Sequence, residues 1–156
     1  METVVILNNI RSMENVGSIF RTCDAAGVSK VYLVGITPAP TDRFGRENTK
    51  LLKSSLGAEE SVGWDRVESL KGASEKLKEK GFKIIAIEQS KKSLDYKEIK
   101  DKFKNNKIAL VFGNEVDGIS KDDLELCDAV FDIPMKGKKE SLNVAVTVGV
   151  ILFSLL

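Results

Sequence analysis

Three polar segments of the chain carry residues whose types and spacing could do chemistry. The first, NNIRSMENVGSIFRTC, holds Asn9, Arg11, Asn15 and Arg21. The second, VFGNEVDGIS, sets Glu115 between Gly113 and Gly118. The third, DIPMKGKKESLN, runs from Ile133 and Met135 through Lys136, Lys138 and Lys139 to Ser141 and Asn143. Such groups hydrogen-bond, orient and neutralise charge. There is no histidine, which removes imidazole bases, Ser-His-Asp and Cys-His nucleophiles, and His-ligated metals. Cys23 and Cys127 are the only cysteines. Two distant thiols cannot complete a zinc site, and their small number fits a reducing compartment. No metal is therefore expected. The G-x-G-x-x-G and G-x-x-x-x-G-K-[ST] phosphate loops are both missing, which argues against a dinucleotide-binding dehydrogenase or a P-loop NTPase. Asn8 and Asn9 end the first apolar run where a receiver domain needs acidic metal ligands.

The elements that must position these segments alternate between strand-like and helix-like. TVVILN (3–8), KVYLVG (30–35), FKIIAIE (82–88), KIALVFG (107–113) and AVFDIP (129–134) read as strands. The third and fourth are near-continuous apolar runs, as expected of strands buried on both faces of a parallel sheet. Helical spacing appears over 14–27, closed by Gly27, over 48–57, and over 65–81 with Val67, Leu70 and Leu77 on one side. The segment ITPAPTDRFGREN reads as a long loop, and the charged stretch 91–107 as a solvated helix and loop. The last run, SLNVAVTVGVILFSLL, is taken as a helix capped by Ser141, apolar nearly all round and so buried on more than one side. In a domain this small, that suggests a subunit interface. The alternation predicts an α/β fold with a mostly parallel sheet flanked by helices. Ligands of such folds bind beyond the carboxyl ends of the strands, where all three polar segments fall.

With 156 residues the chain is expected to form one domain, 1–156. Hydrophobic residues make up 42% and charged residues 30%, which excludes wholesale disorder. The net charge of +1 gives no global basic field, so any RNA site must be a local patch. The most apolar run is too short to span a membrane, and no signal peptide order opens the chain. A soluble cytoplasmic protein is expected.

Taken together and in order, the three segments resemble the motifs of the SPOUT superfamily of RNA methyltransferases, in its SpoU/TrmH branch. The first motif, N-x-R then N-x-G-x-[IL]-x-R-T, matches Asn9-Ile10-Arg11 and Asn15 through Thr22. The second, G-x-E-x-x-G after an apolar strand, matches Gly113, Glu115 and Gly118. The third, I-P-M, a loop and S-L-N-[VA], matches Ile133-Pro134-Met135 and Ser141 through Val144. The segment TKLLKSSLGAEESVGW also resembles the region between the first two motifs. The likeness covers essentially the whole chain, in the branch's minimal form without an N-terminal RNA-binding extension.

The resemblance implies a sheet whose C-terminal segment threads into a deep trefoil knot. It implies S-adenosylmethionine held in a bent shape by the knot loops, and a homodimer with its sites at the subunit interface. The implied reaction is methyl transfer to a ribose 2′-hydroxyl in tRNA or rRNA. Arg21 matches the branch's catalytic arginine. Guanidinium is a poor base, so its safer role is to bind phosphate and hold the hydroxyl in line. Asn15, Glu115, Ser141 and Asn143 match supporting catalytic positions, Glu115 organising Arg21 or nearby backbone. Asn15 and Ser141 have purely local readings as well, as a loop residue and a helix cap. Asn143 opens an apolar helix and is expected to play a buried polar role. Ile87, Gly113, Gly118, Ile133, Met135, Ser141 and Leu142 match cofactor contacts, with core packing the alternative for Ile87 and Leu142. Arg11 is expected to meet RNA phosphate. Arg43 and Arg46, with Lys50 and Lys53, and the cluster Lys136, Lys138 and Lys139 flank the site and could contact RNA, or be solvated surface. The competing reading is a non-catalytic RNA-binding module on the same knotted fold. An unrelated small-molecule-binding α/β domain is disfavoured by the missing phosphate loops.

Overall fold

A computed structural model describes residues 1–156. Seven strands form one sheet: β1 (Thr3–Asn8), β2 (Lys30–Val34), β3 (Gly63–Val67), β4 (Phe82–Ile87), β5 (Leu94–Asp95), β6 (Lys107–Phe112) and β7 (Ala129–Asp132). The order across it is β3-β2-β1-β6-β4-β7-β5, and every pairing is parallel. The helices are α1 (Met13–Ala26), α2 (Thr49–Ser55), α3 (Ala58–Ser61), α4 (Leu70–Glu79), α5 (Ile99–Phe103), α6 (Lys121–Glu125) and α7 (Val144–Ser154).

The period of two along the central strands explains the layers. Val5, Leu7, Leu110 and Phe112 face a core shared with α1, α2, α5 and α7. Their neighbours Val4, Ile6, Ala109 and Val111 face a second core with Leu70, Ala73 and Leu77 of α4. Both faces of β1, β4 and β6 are therefore covered, which is why their sequences are apolar almost throughout. In α1, Gly17 sits against α2. A Cβ there would collide with the Leu51 carbonyl and Ser54 Oγ, so the motif glycine is what lets the two helices meet. Helix α1 starts at Ser12, whose side chain accepts from the Asn15 N–H at 3.1 Å, and stops at Gly27 with φ +73°.

The structure differs from the sequence reading in several places. The expected helix over 65–81 is a strand, β3, followed by α4. Residues Gly63–Val67 pair with β2 at the sheet edge, and Ser69 then caps α4 through the Gly72 N–H. Val67 mimicked a helical position because it packs against the same core as Leu70 and Leu77. Within 91–107, β5 pairs with β7, and Ile99 of α5 is fully buried. The short α6, capped by Ser120, was not foreseen. The cap of α7 is Asn143 rather than Ser141: Asn143 Oδ1 accepts from the N–H groups of Ala145 at 2.8 Å and Val146 at 3.4 Å. Asn143 is exposed in the single chain, not buried. No helix is long and apolar enough to cross a membrane.

Candidate active site

Because all strands are parallel, their carboxyl ends gather along one edge of the sheet. There β1, β6, β4 and β7 release the loops that begin at Asn9, Gly113, Glu88 and Ile133. A cavity of about 500 Å³ lies among them. Of the seven residues expected to hold a cofactor, all line it: Ile87, Gly113, Gly118, Ile133, Met135, Ser141 and Leu142. Glu115 and Asn143 line it as well.

The loop after β6 is tightly folded. Gly113 lies against Gly118, and a Cβ on Gly113 would stand 2.6 Å from the Gly118 carbonyl carbon. Gly118 has φ +66° and abuts the Glu88 carboxylate, so a side chain there would be strained in conformation and would displace that carboxylate. Asn114 closes the turn between them: its Oδ1 accepts from the N–H groups of Val116 at 2.8 Å and Asp117 at 3.0 Å. Its Nδ2 donates to the Asn9 carbonyl at 2.8 Å. The carboxylate of Glu115 accepts from the backbone N–H groups of Arg11 (3.1 Å) and Ser12 (3.2 Å), and from Asn15 Nδ2 at 3.5 Å. Asn15 Oδ1 in turn accepts from Asn143 Nδ2 at 3.2 Å. One chain of hydrogen bonds, Glu115–Asn15–Asn143, thus joins all three motifs.

Partial burial raises the Glu115 pKa. Donation from the N–H groups of Arg11, Glu115 itself and Ser12, and from Asn15, outweighs it and holds the carboxyl below the usual range. Burial pushes both thiols up, Cys127 to about 11 and Cys23 further, so neither supplies a thiolate near neutral pH.

Other expected site residues stay apart. Arg21 stands exposed on α1, outside the cavity lining and in no ion pair of its own chain. Arg11 reaches the site through its backbone N–H. Lys136, Lys138 and Lys139 are exposed on the loop beside the cavity without lining it. Arg43 and Arg46 line a separate crevice with Met13, Lys50 and Arg66. Neither Glu88 nor Asn114 is a fixed position of the three motifs. Glu88 follows Ile87 at a strand end, which was the available signal. Its carboxylate accepts from the N–H groups of Ile119 and Gln89, both at 2.9 Å, and it lines the cavity with Asp132 and Glu140.

A doubly covered parallel sheet with a glycine-walled cavity at its carboxyl edge defines a ligand-binding α/β protein of the doubly wound kind. The sequence profile of the SpoU rRNA Methylase family matches residues 2–153, and the chain belongs to that family. It is similar to the tRNA (guanosine(18)-2′-O)-methyltransferase of Aquifex aeolicus, 32% identical over 155 residues, covering 97% of this chain and 67% of that protein. It is likewise similar to the 23S rRNA (guanosine-2′-O-)-methyltransferase RlmB of Neisseria meningitidis serogroup B, 36% identical over 150 residues, covering 96% of this chain and 56% of that protein. Among solved structures, an AdoMet-bound rRNA methyltransferase from Sinorhizobium meliloti superposes with a TM-score of 0.87 at 29% identity, over 99% of this chain and 55% of that one. The chain spans little more than half the length of most of these curated relatives.

Proposed function

We propose that residues 1–156 form one catalytic domain that transfers a methyl group from S-adenosylmethionine to a ribose 2′-hydroxyl of tRNA or rRNA. The observation that carries this reading is the Glu115–Asn15–Asn143 chain, which ties all three motifs together beside one cavity. The cavity suits the cofactor in size and charge. Its volume falls in the ~300–1,000 Å³ range of small-ligand sites. Glu88, Asp132 and Glu140 among its walls match a ligand carrying sulfonium and ammonium charges. Ile87, Gly113, Gly118, Ile133, Met135, Ser141 and Leu142 would hold it, with glycine letting the backbone approach closely. The chemistry supplied by the bound cofactor is an activated methyl on a sulfonium centre.

The chain's own residues supply position and charge. Glu115 pins the start of α1, and so fixes the helix that carries Arg21. Arg21 binds a substrate phosphate and holds the attacking hydroxyl in line, a use of a planar fork of donors that lysine does not match. Lys136, Lys138, Lys139 and Arg11 add sequence-independent phosphate contacts around the cavity mouth. Arg21 is exposed and does not line its own chain's cavity, which supports a homodimer in which it serves a site completed by a second copy. The outer stripe of the last helix supports the same arrangement. Val148, Ile151 and Leu155 are buried, whereas Val146 and Phe153, seven residues apart on another face of the same helix, are 51% and 52% exposed. The threading of the C-terminal segment into a knot is supported by membership of the family rather than by the strand order, in which β7 lies between β4 and β5. The setting is the cytoplasm, where both cysteines stay reduced.

The test is incubation with methyl-labelled S-adenosylmethionine and bulk tRNA or ribosomal RNA, followed by nucleotide mapping. Label in a single alkali-resistant dinucleotide is expected. Cofactor binding with no transfer to any RNA would favour the non-catalytic module instead.

A further inference from the structure

Outside the cavity, the least explained feature is the tip of the loop between β2 and α2. Phe44 there is 83% exposed, the most exposed large apolar side chain of the molecule. It does not sit on a slack loop. Thr41 and Glu47 form an antiparallel bridge, and Asp42 N–H donates to the Arg46 carbonyl at 2.9 Å. The Gly45 N–H returns to the Asp42 carbonyl at 3.0 Å, with Gly45 at φ +77°. Asp42 Oδ1 accepts from the N–H groups of Phe44 (2.8 Å) and Arg46 (2.9 Å), and its Oδ2 pairs with Arg46 Nε at 2.7 Å. The Arg46 guanidinium lies 5.2 Å from the centre of the Phe44 ring. A tight hairpin therefore holds an aromatic ring and a stacked guanidinium out in water, where the ring gains nothing from burial.

The ring's surroundings point to its partner. The crevice that its hairpin neighbours Arg43 and Arg46 line also holds Lys50 and Arg66, against only Asp42 and Glu47. Met13, which also lines that crevice, follows directly on Arg11 and Ser12, whose N–H groups hold Glu115 of the cavity wall. Exposed aromatics interleaved with cations are how proteins bind unpaired nucleotides: bases stack on the ring while the cations take the phosphates. We propose that Phe44, backed by Arg46, is a stacking platform for an unpaired base of the substrate RNA, with Arg43, Lys50 and Arg66 holding the phosphates beside it. This rests on the RNA-modifying reading above and adds that the substrate is single-stranded or looped where it meets the hairpin. Phe44 is a binding residue, not a catalytic one.

The test is fluorescence anisotropy with a labelled single-stranded RNA 12-mer and its duplex, in the full chain. Phe44→Ala is expected to weaken the single strand roughly 10-fold and the duplex hardly at all. Phe44→Trp should keep wild-type affinity and Phe44→Leu should not. Arg43→Gln should lower the salt slope of single-strand binding by about 0.7. Unchanged melting temperature and S-adenosylmethionine affinity in Phe44→Ala would locate the effect in RNA contact. Equal binding of the single strand by wild type and Phe44→Ala would overturn the platform while leaving the methyltransferase reading intact. So would a Phe44→Ala protein that loses self-association but keeps RNA affinity, which would make the hairpin a contact between copies. A wild-type chain that binds neither RNA would overturn both.

Discussion

The two walls of the cavity are built differently. The wall after β6, residues 113–118, is fixed from every side: Gly113 on Gly118, Asn114 within its own turn and on Asn9, Glu115 on the start of α1, and Glu88 on Ile119. The wall after β7, residues 133–143, is held by little besides Gln89 donating to the Glu140 carbonyl and Asn143 donating to Asn15. Most of its residues, from Lys136 to Asn143, are exposed. A cradle that must meet a small ligand with backbone atoms needs the first kind of wall, since a shift of one ångström undoes it. The looser wall also lines the cavity, through Ile133, Met135, Ser141 and Leu142; on the function proposed above, its lysines face RNA, where long-range charge does not depend on one geometry.

Changes off the walls, on the rigid wall and on the loose wall should then fail in distinguishable ways. The largest effect is expected off both walls. Arg21→Ala should slow methyl transfer by roughly 10²–10³, as removal of a transition-state donor does, and leave S-adenosylmethionine affinity within twofold. Arg21→Lys should recover little of the rate. Single-turnover kinetics on the mapped RNA reads both, and near-wild-type turnover would remove Arg21 from the site.

On the rigid wall, Glu115→Ala cuts the tie to α1. Charge-assisted hydrogen bonds at a partly exposed carboxylate contribute about 1 kcal/mol once solvent is allowed for. A lower melting temperature and weaker cofactor binding together are expected. On the loose wall, the double change Lys138→Ala and Lys139→Ala should raise the Michaelis constant for RNA several-fold, steepest at low salt, with the melting temperature unmoved. A fall in melting temperature as large as that of Glu115→Ala would erase the distinction between the walls.

The smallest effect concerns acid. The Glu115 carboxyl is held below its ordinary value of 4.5 by the amides it accepts from. A depressed folded pKa means that the tie is complete above that value and is lost as pH falls through the lowered one. The amide resonances of Arg11 and Ser12, followed from pH 7 downward, should inflect below 4.5; an inflection at or above it would mean that those amides do not hold the carboxylate.

The same contrast governs what could be read from the sequence. β1, β4 and β6 were legible because burial on both faces writes a continuous apolar run. β3 was not, since GWDRV lies at an edge with most side chains in water, and its one inward valine fell into helical step with α4. β5 has only two residues. In the site, the motif spacing named Asn15, Glu115 and Asn143, and the structure joins them. Glu88 and Asn114 escaped because each also serves a backbone group of a distant segment. Glu88 meets Ile119 only once β4 is known to lie beside β6, and Asn114 meets Asn9 only once β1 is known to lie beside β6. From the sequence Ser141 reads as the cap of the last helix, but that helix starts at Val144, which puts Asn143 in the capping position.

The claim on which all of this depends is that the glycine-built wall cradles S-adenosylmethionine. Calorimetry at neutral pH in the presence of a chelator, wild type against Gly113→Ala, tests it most directly. The added methyl would stand 2.6 Å from the Gly118 carbonyl carbon, with no flexible end to yield. Saturable binding by the wild type, one cofactor per chain or fewer, and at least 10-fold weaker binding by Gly113→Ala at unchanged fold by circular dichroism is the predicted result. No binding by the wild type at millimolar cofactor, or equal binding by the two proteins, would contradict it.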